Sequence, residues 1–484
     1  MTSIKRNFLY SSFLTTANFL FPLITYPYIS RVLGVTNIGI CNFVDSIIHY
    51  FIILSMLGIN TVGIREIAQN KTNKERLSSV FYSLFIINTI TTIVAIFLLV
   101  VATLMVAQLR EHWEMMLIGG IKLLFNYLII EWFYRGLENF KYITIRSVIV
   151  RTAYVVSVFL FVRDCDDYTT YYFLTVLSIV INAVINIVYS RKFISIKWDK
   201  FQIRGYVKSY VIMGIYWILT SMYTTFNVSY LGFISGETEV GFYTTASKLF
   251  QILIALFTAF TGVMLPRMSA IISEGDQEKF KELLNKSCYL ICSCSLPVIL
   301  FSIIYTPNIV LLISGEGYEG AITPMRIIMP LMFIIGYEQI IIVQALTPLK
   351  KDSAILRNSI LGAITGIALN ILLVHTYKST GSSISWLCSE IVVLMSAQYY
   401  IYKYIKFGFP WKMISKLIIS YFPLIVCLLI CLSGIPDKWL SFVISCLLSM
   451  LYFFVLNVYV LKDSELRPLI LNSMKHFKDS KIRI

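Results

Sequence analysis

"GICNFVDSIIHYFIILSMLGINTVGIREIA", residues 39–68, runs largely apolar for longer than the roughly 20 residues an α-helix needs to cross a hydrocarbon core of about 30 Å. Within it Asp45 and His49 stand one helical turn apart, on one face. An acid at bilayer depth costs roughly 2.5–3.5 kcal/mol on insertion scales, so its default reading is functional. The rest of the chain must supply the context.

Of 484 residues, 57% are hydrophobic and only 14% charged, with a mean hydropathy of +0.76. That is too little polar surface to dress a water-soluble domain of this size, and the chain reads as an all-α polytopic membrane protein. The formal net charge of +15 does not point to nucleic acid. Lys and Arg fall in short clusters between apolar runs, the pattern of loops that orient a membrane protein.

The N-terminus, "MTSIKRNFLYSSFLTTANFLFPLITY", joins a basic start to an apolar run, as a signal peptide does. The run is too long, contains Pro22 and offers no small-residue cleavage site before Arg31, so it reads as a retained first span. Cys41, Cys288, Cys292, Cys294, Cys388, Cys427, Cys431 and Cys446 lie in or beside apolar segments without zinc spacing. They read as small packing residues, and no metal site is expected.

Cutting the chain at its polar breaks gives about fourteen apolar segments of membrane-spanning length. They group as a six-helix bundle over 1–190, a cytoplasmic linker over 191–206, a second six-helix bundle over 207–402, a further helix pair over 403–461 and a basic tail over 462–484. With both termini cytoplasmic, the loops "REIAQNKTNKER", "RKFISIKWDKFQIRGYVK", "RMSAIISEGDQEKFKELLNK" and "KYIKFGFPWK" are inside. Roughly 32 of the 41 Lys and Arg then lie inside and about five outside, as the positive-inside rule requires. The remainder fall within spans: Lys122, Arg151, Lys248 and Arg326.

An internal repeat is visible. "RVLGVTNIGICNFVDSI" aligns with "SYLGFISGETEVGFYTTASKL", matching Leu33-Gly34 to Leu231-Gly232 and, after a slightly longer loop, Gly39 to Gly241. "YITIRSVIV" aligns with "SAILRNSIL", pairing Arg146 with Arg357. Each half has an even number of spans, so the halves are expected to relate by a pseudo-two-fold axis along the membrane normal, with a central cavity between them. Asp45 falls opposite Ser247, beside Lys248. Asp45 and Lys248 are therefore expected to face one another across that cavity, with Asn42 and His49 on one wall and Thr244, Thr245 and Gln251 on the other.

The stretches "FPLITYPYISRVLG", "GINTVGIREIA", "WFYRGLENFKYITIR", "VGFYTTASKLFQ" followed by "LPRMS", and "ALNILLVHTYKSTGSSISWLCSEIVV" together resemble the Wzx-type polysaccharide flippases of the multidrug, oligosaccharidyl-lipid and polysaccharide exporter superfamily. The resemblance implies a bacterial inner-membrane protein that moves undecaprenyl-pyrophosphate-linked oligosaccharide repeat units from the cytoplasmic to the periplasmic leaflet, for O-antigen, capsule or exopolysaccharide synthesis. It further implies alternating access, a polymerase and a chain-length regulator as partners, and coupling to a proton or sodium gradient with no bound cofactor. Two positions depart from the pattern: Arg135, where similar proteins often carry Gln, and Glu338, where a small or amide side chain is expected.

Such a substrate is strongly anionic, and Lys122, Arg151, Lys248 and Arg326 are the candidate cations to hold it, Arg being able to bind two oxygens at once. Asp45, Glu338, Glu390 and His49 are the candidate coupling or cavity groups. Glu131 and Arg135 have the spacing of a local salt bridge. The rival class is a membrane-embedded glycosyltransferase or polymerase, supported by Asp164 and Asp166 in "RDCDDY". A solvated acidic turn explains the same residues. A drug or peptidoglycan-precursor exporter of the same superfamily is the nearer alternative. An ATP-driven pump is excluded by the lack of a Gly-x-x-x-x-Gly-Lys-[Ser/Thr] loop.

Overall fold

The computed structural model describes residues 4–194 and 203–460. Among them the chain is helical, with no strand. Part of the 191–206 linker and the whole 462–484 tail lie outside the described residues. The helices before the linker are α1 (Ile4–Met56), α2 (Ile59–Asn70), α3 (Lys74–Met105), α4 (Ala107–Glu111), α5 (Trp113–Asn126), α6 (Glu131–Gly136), α7 (Phe140–Phe161) and α8 (Tyr168–Ser190). After it come α9 (Ile203–Ser235), α10 (Glu237–Glu274), α11 (Gln277–Ile304), α12 (Thr306–Ser314), α13 (Ile322–Ile328), α14 (Leu331–Gln339), α15 (Asp352–Ile405), α16 (Trp411–Gly434) and α17 (Lys438–Val455).

Eleven segments among the described residues are long and apolar enough to cross a membrane. Two of the helices behind them are pairs joined at one non-helical residue: α1 at Gly34 (φ 72°) and α15 at Lys378 (φ 49°). Counting each as two and adding the apolar α9 gives fourteen, the number the polar breaks imply. The exposed turns are closed by acids and amides. Asn73 accepts from the main-chain N–H groups of Glu75 and Arg76 at 3.0 and 3.1 Å, and Asp437 accepts from those of Trp439 and Leu440 at 2.8 and 2.7 Å. Asp164 and Asp167 form a reciprocal capping box at the turn before α8. The acidic "RDCDDY" turn thus has a structural use for its carboxylates.

Side chains are distributed as lipid demands. Phe97 is 65% and Ile419 71% exposed, while Ser30, Ser55, Ser83, Asn88 and Thr92 are buried. Lipid is as apolar as leucine, so helices hold together in it by close approach of small residues and by interhelical hydrogen bonds, such as Ser55 to Thr92 at 2.6 Å.

Two compact units result. One comprises Met1–Thr245, Ile313–Ala321 and Ala363–Trp386; the other comprises Ala246–Leu312, Ile322–Gly362 and Leu387–Ile484. In the first unit, the part of α1 after Gly34 crosses the start of α10 with no room for side chains. A Cβ on Gly39 would lie 1.8 Å from the Glu237 carbonyl oxygen, and one on Gly241 would lie 2.2 Å from that of Val35. The Thr36 and Thr238 hydroxyls meet at 3.0 Å, and the Asn42 amide donates to Thr244 at 3.2 Å. All these pairs share one register, so the aligned segments of the repeat touch each other at their matching positions. The alignment needs one correction. Residues matched at Gly232 belong to continuous helix, because α9 runs on to Ser235, and the left-handed break that corresponds to Gly34 is Gly236 (φ 85°).

Adding a methyl group at this crossing forces the backbones apart, an overpacking cost of at least about 1–3 kcal/mol. Gly39→Ala and Gly241→Ala should each lower the yield of monodisperse protein and its Tm in detergent. Gly262→Ala, where a Cβ meets nothing within 4 Å, should leave both unchanged. An equal response at all three positions would refute the close crossing.

Candidate functional site

An irregular stretch of backbone in the first unit follows α5. The helix tightens to a 3₁₀ turn over Tyr127–Ile129, Ile130 adopts a left-handed conformation (φ 40°, ψ 34°), and α6 then restarts at Glu131. A β-branched residue with positive φ is strained, and broken backbone at membrane depth persists only where other groups satisfy it. Asn186 of α8 does so. Its amide N–H donates to the Ile129 carbonyl, its side-chain oxygen accepts from Arg146 and, at 2.8 Å, from the Tyr142 hydroxyl, and its carbonyl accepts from the Tyr134 hydroxyl. One fully buried amide therefore pins the break, α7 and α8 together. Helix α6 is seated on α2 by the absence of a side chain at Gly63, where a Cβ would come within 2.5 Å of the Trp132 ring.

Glu131, the first residue of α6, lies between two guanidinium groups. Arg135 donates from Nε and Nη2 to Glu131 Oε1 at 2.9 and 2.6 Å. Arg146 Nη2 stands 3.6 Å from Oε2 and donates to the Ser147 hydroxyl at 2.9 Å. Arg146 is buried, with 5% of its side chain exposed, whereas Arg135 is 51% exposed.

Arg135 and Glu131 open on a cavity of about 850 Å³ within the first unit. One part of the wall is apolar, with Ile52, Ile53, Met56, Leu57, Ile64, Ile129 and Ile130; the other carries His49, Asn60, Thr61, Asn126 and Ser221 beside the charged pair. The cavity thus offers both a surface for hydrocarbon and a set of donors and acceptors for a polar group.

The residues singled out in the sequence divide between the units. Asp45 accepts from Lys122 of α5 and, at 3.3 Å, from the Tyr172 hydroxyl. His49, one turn along, is exposed on the cavity wall. Arg151 is half-buried on α7 and makes no ion pair with another described residue. Lys248 lies on the part of α10 that belongs to the second unit. Arg326 is exposed on α13, its Nε donating to the Ile303 carbonyl at 3.3 Å. In the second unit Glu338 lies beside Glu390, and one of its carboxyl oxygens is buried without a hydrogen-bond partner. The π-helical turn Ile340–Leu346 follows directly.

Asn186 and Arg146 were not legible as a site. Arg146 drew notice only as the counterpart of Arg357, which is exposed and reaches the Tyr400 hydroxyl at 3.4 Å. The available signal was "SIVINAVINIVYS", where Asn182 and Asn186 recur one turn apart in an otherwise apolar span, a placement that marks interhelical contact.

Residues 4–272 match the family model described as "Polysaccharide biosynthesis protein". A relative from Escherichia coli (strain K12), named "Putative O-antigen transporter", is 25% identical over 394 residues, covering 81% of this chain and 95% of its own. Among solved structures, the lipid II flippase MurJ in an inward closed conformation superposes with a TM-score of 0.77 at 13% identity, over 94% of this chain and 99% of that one. An inward-facing multidrug resistance MATE family transporter of the MOP superfamily gives 0.64 at 16% identity, over 81% and 94%. At these identities the two likenesses establish the fold alone.

The Asn186 clamp makes a stability prediction. Asn186→Leu removes one hydrogen-bond acceptor from the buried Arg146 and leaves the Ile129 carbonyl without its side-chain donor, and should destabilise the protein by about 3 kcal/mol. Thermal unfolding in detergent measures this. Arg151→Ala, which breaks no ion pair, should shift stability by less than about 0.5 kcal/mol. Comparable losses in the two variants would contradict the clamp.

Proposed function

Because this chain belongs to the polysaccharide biosynthesis protein family, we propose that it is a flippase that moves undecaprenyl-pyrophosphate-linked oligosaccharide repeat units from the cytoplasmic to the periplasmic leaflet. It is an integral membrane protein of the Wzx-type branch of the MOP superfamily, with the fold of transporters rather than enzymes. The observation that carries the reading is the cavity of the first unit, about 850 Å³ and amphiphilic. A lipid-linked saccharide has an apolar tail, a charged joint and hydroxyl-rich sugars, and needs such a wall. The volume lies in the range of small-molecule sites, roughly 300–1,000 Å³.

The rival enzyme's Asp164–Asp166 pair is weakened as a metal site, since the Asp164 carboxylate is engaged with Asp167 in capping a turn. On the flippase reading, Arg151 in the first unit and Lys248 in the second are separate candidate contacts for anionic groups of the substrate, although neither lines that cavity, while Lys122 is already neutralised by Asp45. Arg326, bonded to a main-chain carbonyl, is not used. Ion coupling is assigned to Glu338 and Glu390, two neighbouring carboxyl groups that resist ionising together and so can hold a proton between them. A ligand or ion shifts the transport equilibrium only by its differential affinity for the two access states.

The test is complementation of a flippase-null strain, read as surface polymer. The wild-type chain should restore display. Arg151→Ala and Lys248→Ala should each reduce it at least severalfold with unchanged protein level, through loss of a charge-assisted contact. Full display in both variants would remove these two residues from the site. Failure of the wild type in strains of matched repeat unit would remove the flippase reading. Glu390→Gln should abolish the dependence of transport on the proton gradient, and an unaltered dependence would remove the coupling assignment.

A further inference from the structure

Sequence reading placed the anion-binding cations at Lys122, Arg151, Lys248 and Arg326, yet none of them lines the first unit's cavity. Among the described residues lining it, the permanent cation is Arg135. Two of the five guanidinium N–H donors of Arg135 are spent on a single oxygen of Glu131, leaving the Nη1 edge available. The negative charge of Glu131 is meant for two partners, since its other oxygen faces the buried Arg146. Arg146 is itself fixed by Asn186 and Ser147. The trio of Arg146, Glu131 and Arg135 therefore carries one net positive charge, and the half-exposed member that presents it to the cavity is Arg135.

We propose that Arg135 is the oxyanion-binding residue of this cavity, and that Glu131, anchored by Arg146, is a positioning residue that holds the Arg135 guanidinium ready and competes with the ligand for it. The inference rests on the flippase reading and names the chemistry of its polar joint: a group with two oxygens that a planar guanidinium can grip side by side. Two sources have that chemistry, the pyrophosphate of a lipid carrier and the carboxylate of an acidic sugar. Asn60 and Asn126 on the same wall supply further donors. Competition between Glu131 and the ligand also provides release, because an arginine already partnered by a carboxylate binds less tightly than a bare one.

The experiment is calorimetric titration of the full-length protein in detergent with inorganic pyrophosphate and, separately, with glucuronate. Wild type should bind at least one of them. Arg135→Gln, which keeps a polar side chain without the charge, should weaken that binding at least about tenfold, with Arg135→Lys, a point charge without the fork, falling between. Glu131→Gln should tighten it severalfold. Thermal unfolding checks that Arg135→Gln is folded. Binding of pyrophosphate alone assigns the lipid carrier, and binding of glucuronate alone assigns an acidic sugar; either supports the proposal. No binding of either by wild type, or equal binding by Arg135→Gln, overturns it. Weaker binding by Glu131→Gln overturns the competing role of Glu131. Unaltered binding in Arg135→Gln together with intact complementation by wild type would leave the flippase reading standing and remove only this assignment.

Discussion

Inside a bilayer an interrupted helix exposes main-chain groups that lipid cannot solvate, and the first unit depends on Asn186 to meet that demand. Each unsatisfied polar group in hydrocarbon costs several kcal/mol. Asn186 covers the Ile129 carbonyl, and the same side chain carries the Arg146 guanidinium. The break therefore does not merely survive; it is tied to the charged trio beside it. Because the chain restarts as α6 at Glu131, the carboxylate and Arg135 one turn later are aimed as a pair at the cavity rather than strung along a continuous span.

The second organising contact is the crossing of α1 and α10 within the first unit. Two glycines at matching repeat positions remove the side chains that would hold the backbones apart, and two hydrogen-bonded pairs on the same register flank them. In lipid this is the economical way to join helices, since burial of apolar surface gives no advantage over contact with acyl chains. The crossing and the Asn186 clamp use complementary means, one by subtracting side chains and the other by saturating a polar one. The second unit shows a third arrangement, two neighbouring carboxyl groups beside a π-helical turn, and π-turns recur at functional sites.

The class of fold was legible because membrane-spanning length and charge clustering are properties of local sequence. Fourteen segments follow from where polar residues interrupt apolar ones, and Gly34 and Lys378 fall at two of those interruptions. The repeat was legible through Gly39 and Gly241, whose matching is confirmed by their contact, but Gly232 misled because a Leu-Gly pair looks alike in a helix and at a break. The site was less legible for a physical reason. Asp45 and Lys122 are 77 positions apart and Asn186 reaches Arg146 across 40, and no periodicity in a single sequence reports which spans are neighbours. Glu131 and Arg135 were readable as a pair because one helical turn separates them. That they face a cavity depends on the break before them, and nothing in "NYLIIEWFYRG" signals that Ile130 turns left-handed.

The most direct measurement of the central claim is leaflet exchange by the purified full-length chain. Proteoliposomes would carry a fluorescent undecaprenyl-pyrophosphate-linked oligosaccharide, and a membrane-impermeant quencher of the saccharide label would report how much of it lies in the outer leaflet. The account predicts that protein-containing vesicles expose nearly the whole labelled pool over time while protein-free vesicles expose only the outer half, with the length of the saccharide unchanged. An inner-leaflet fraction that stays protected in the presence of folded protein, or saccharides that grow longer, would contradict it.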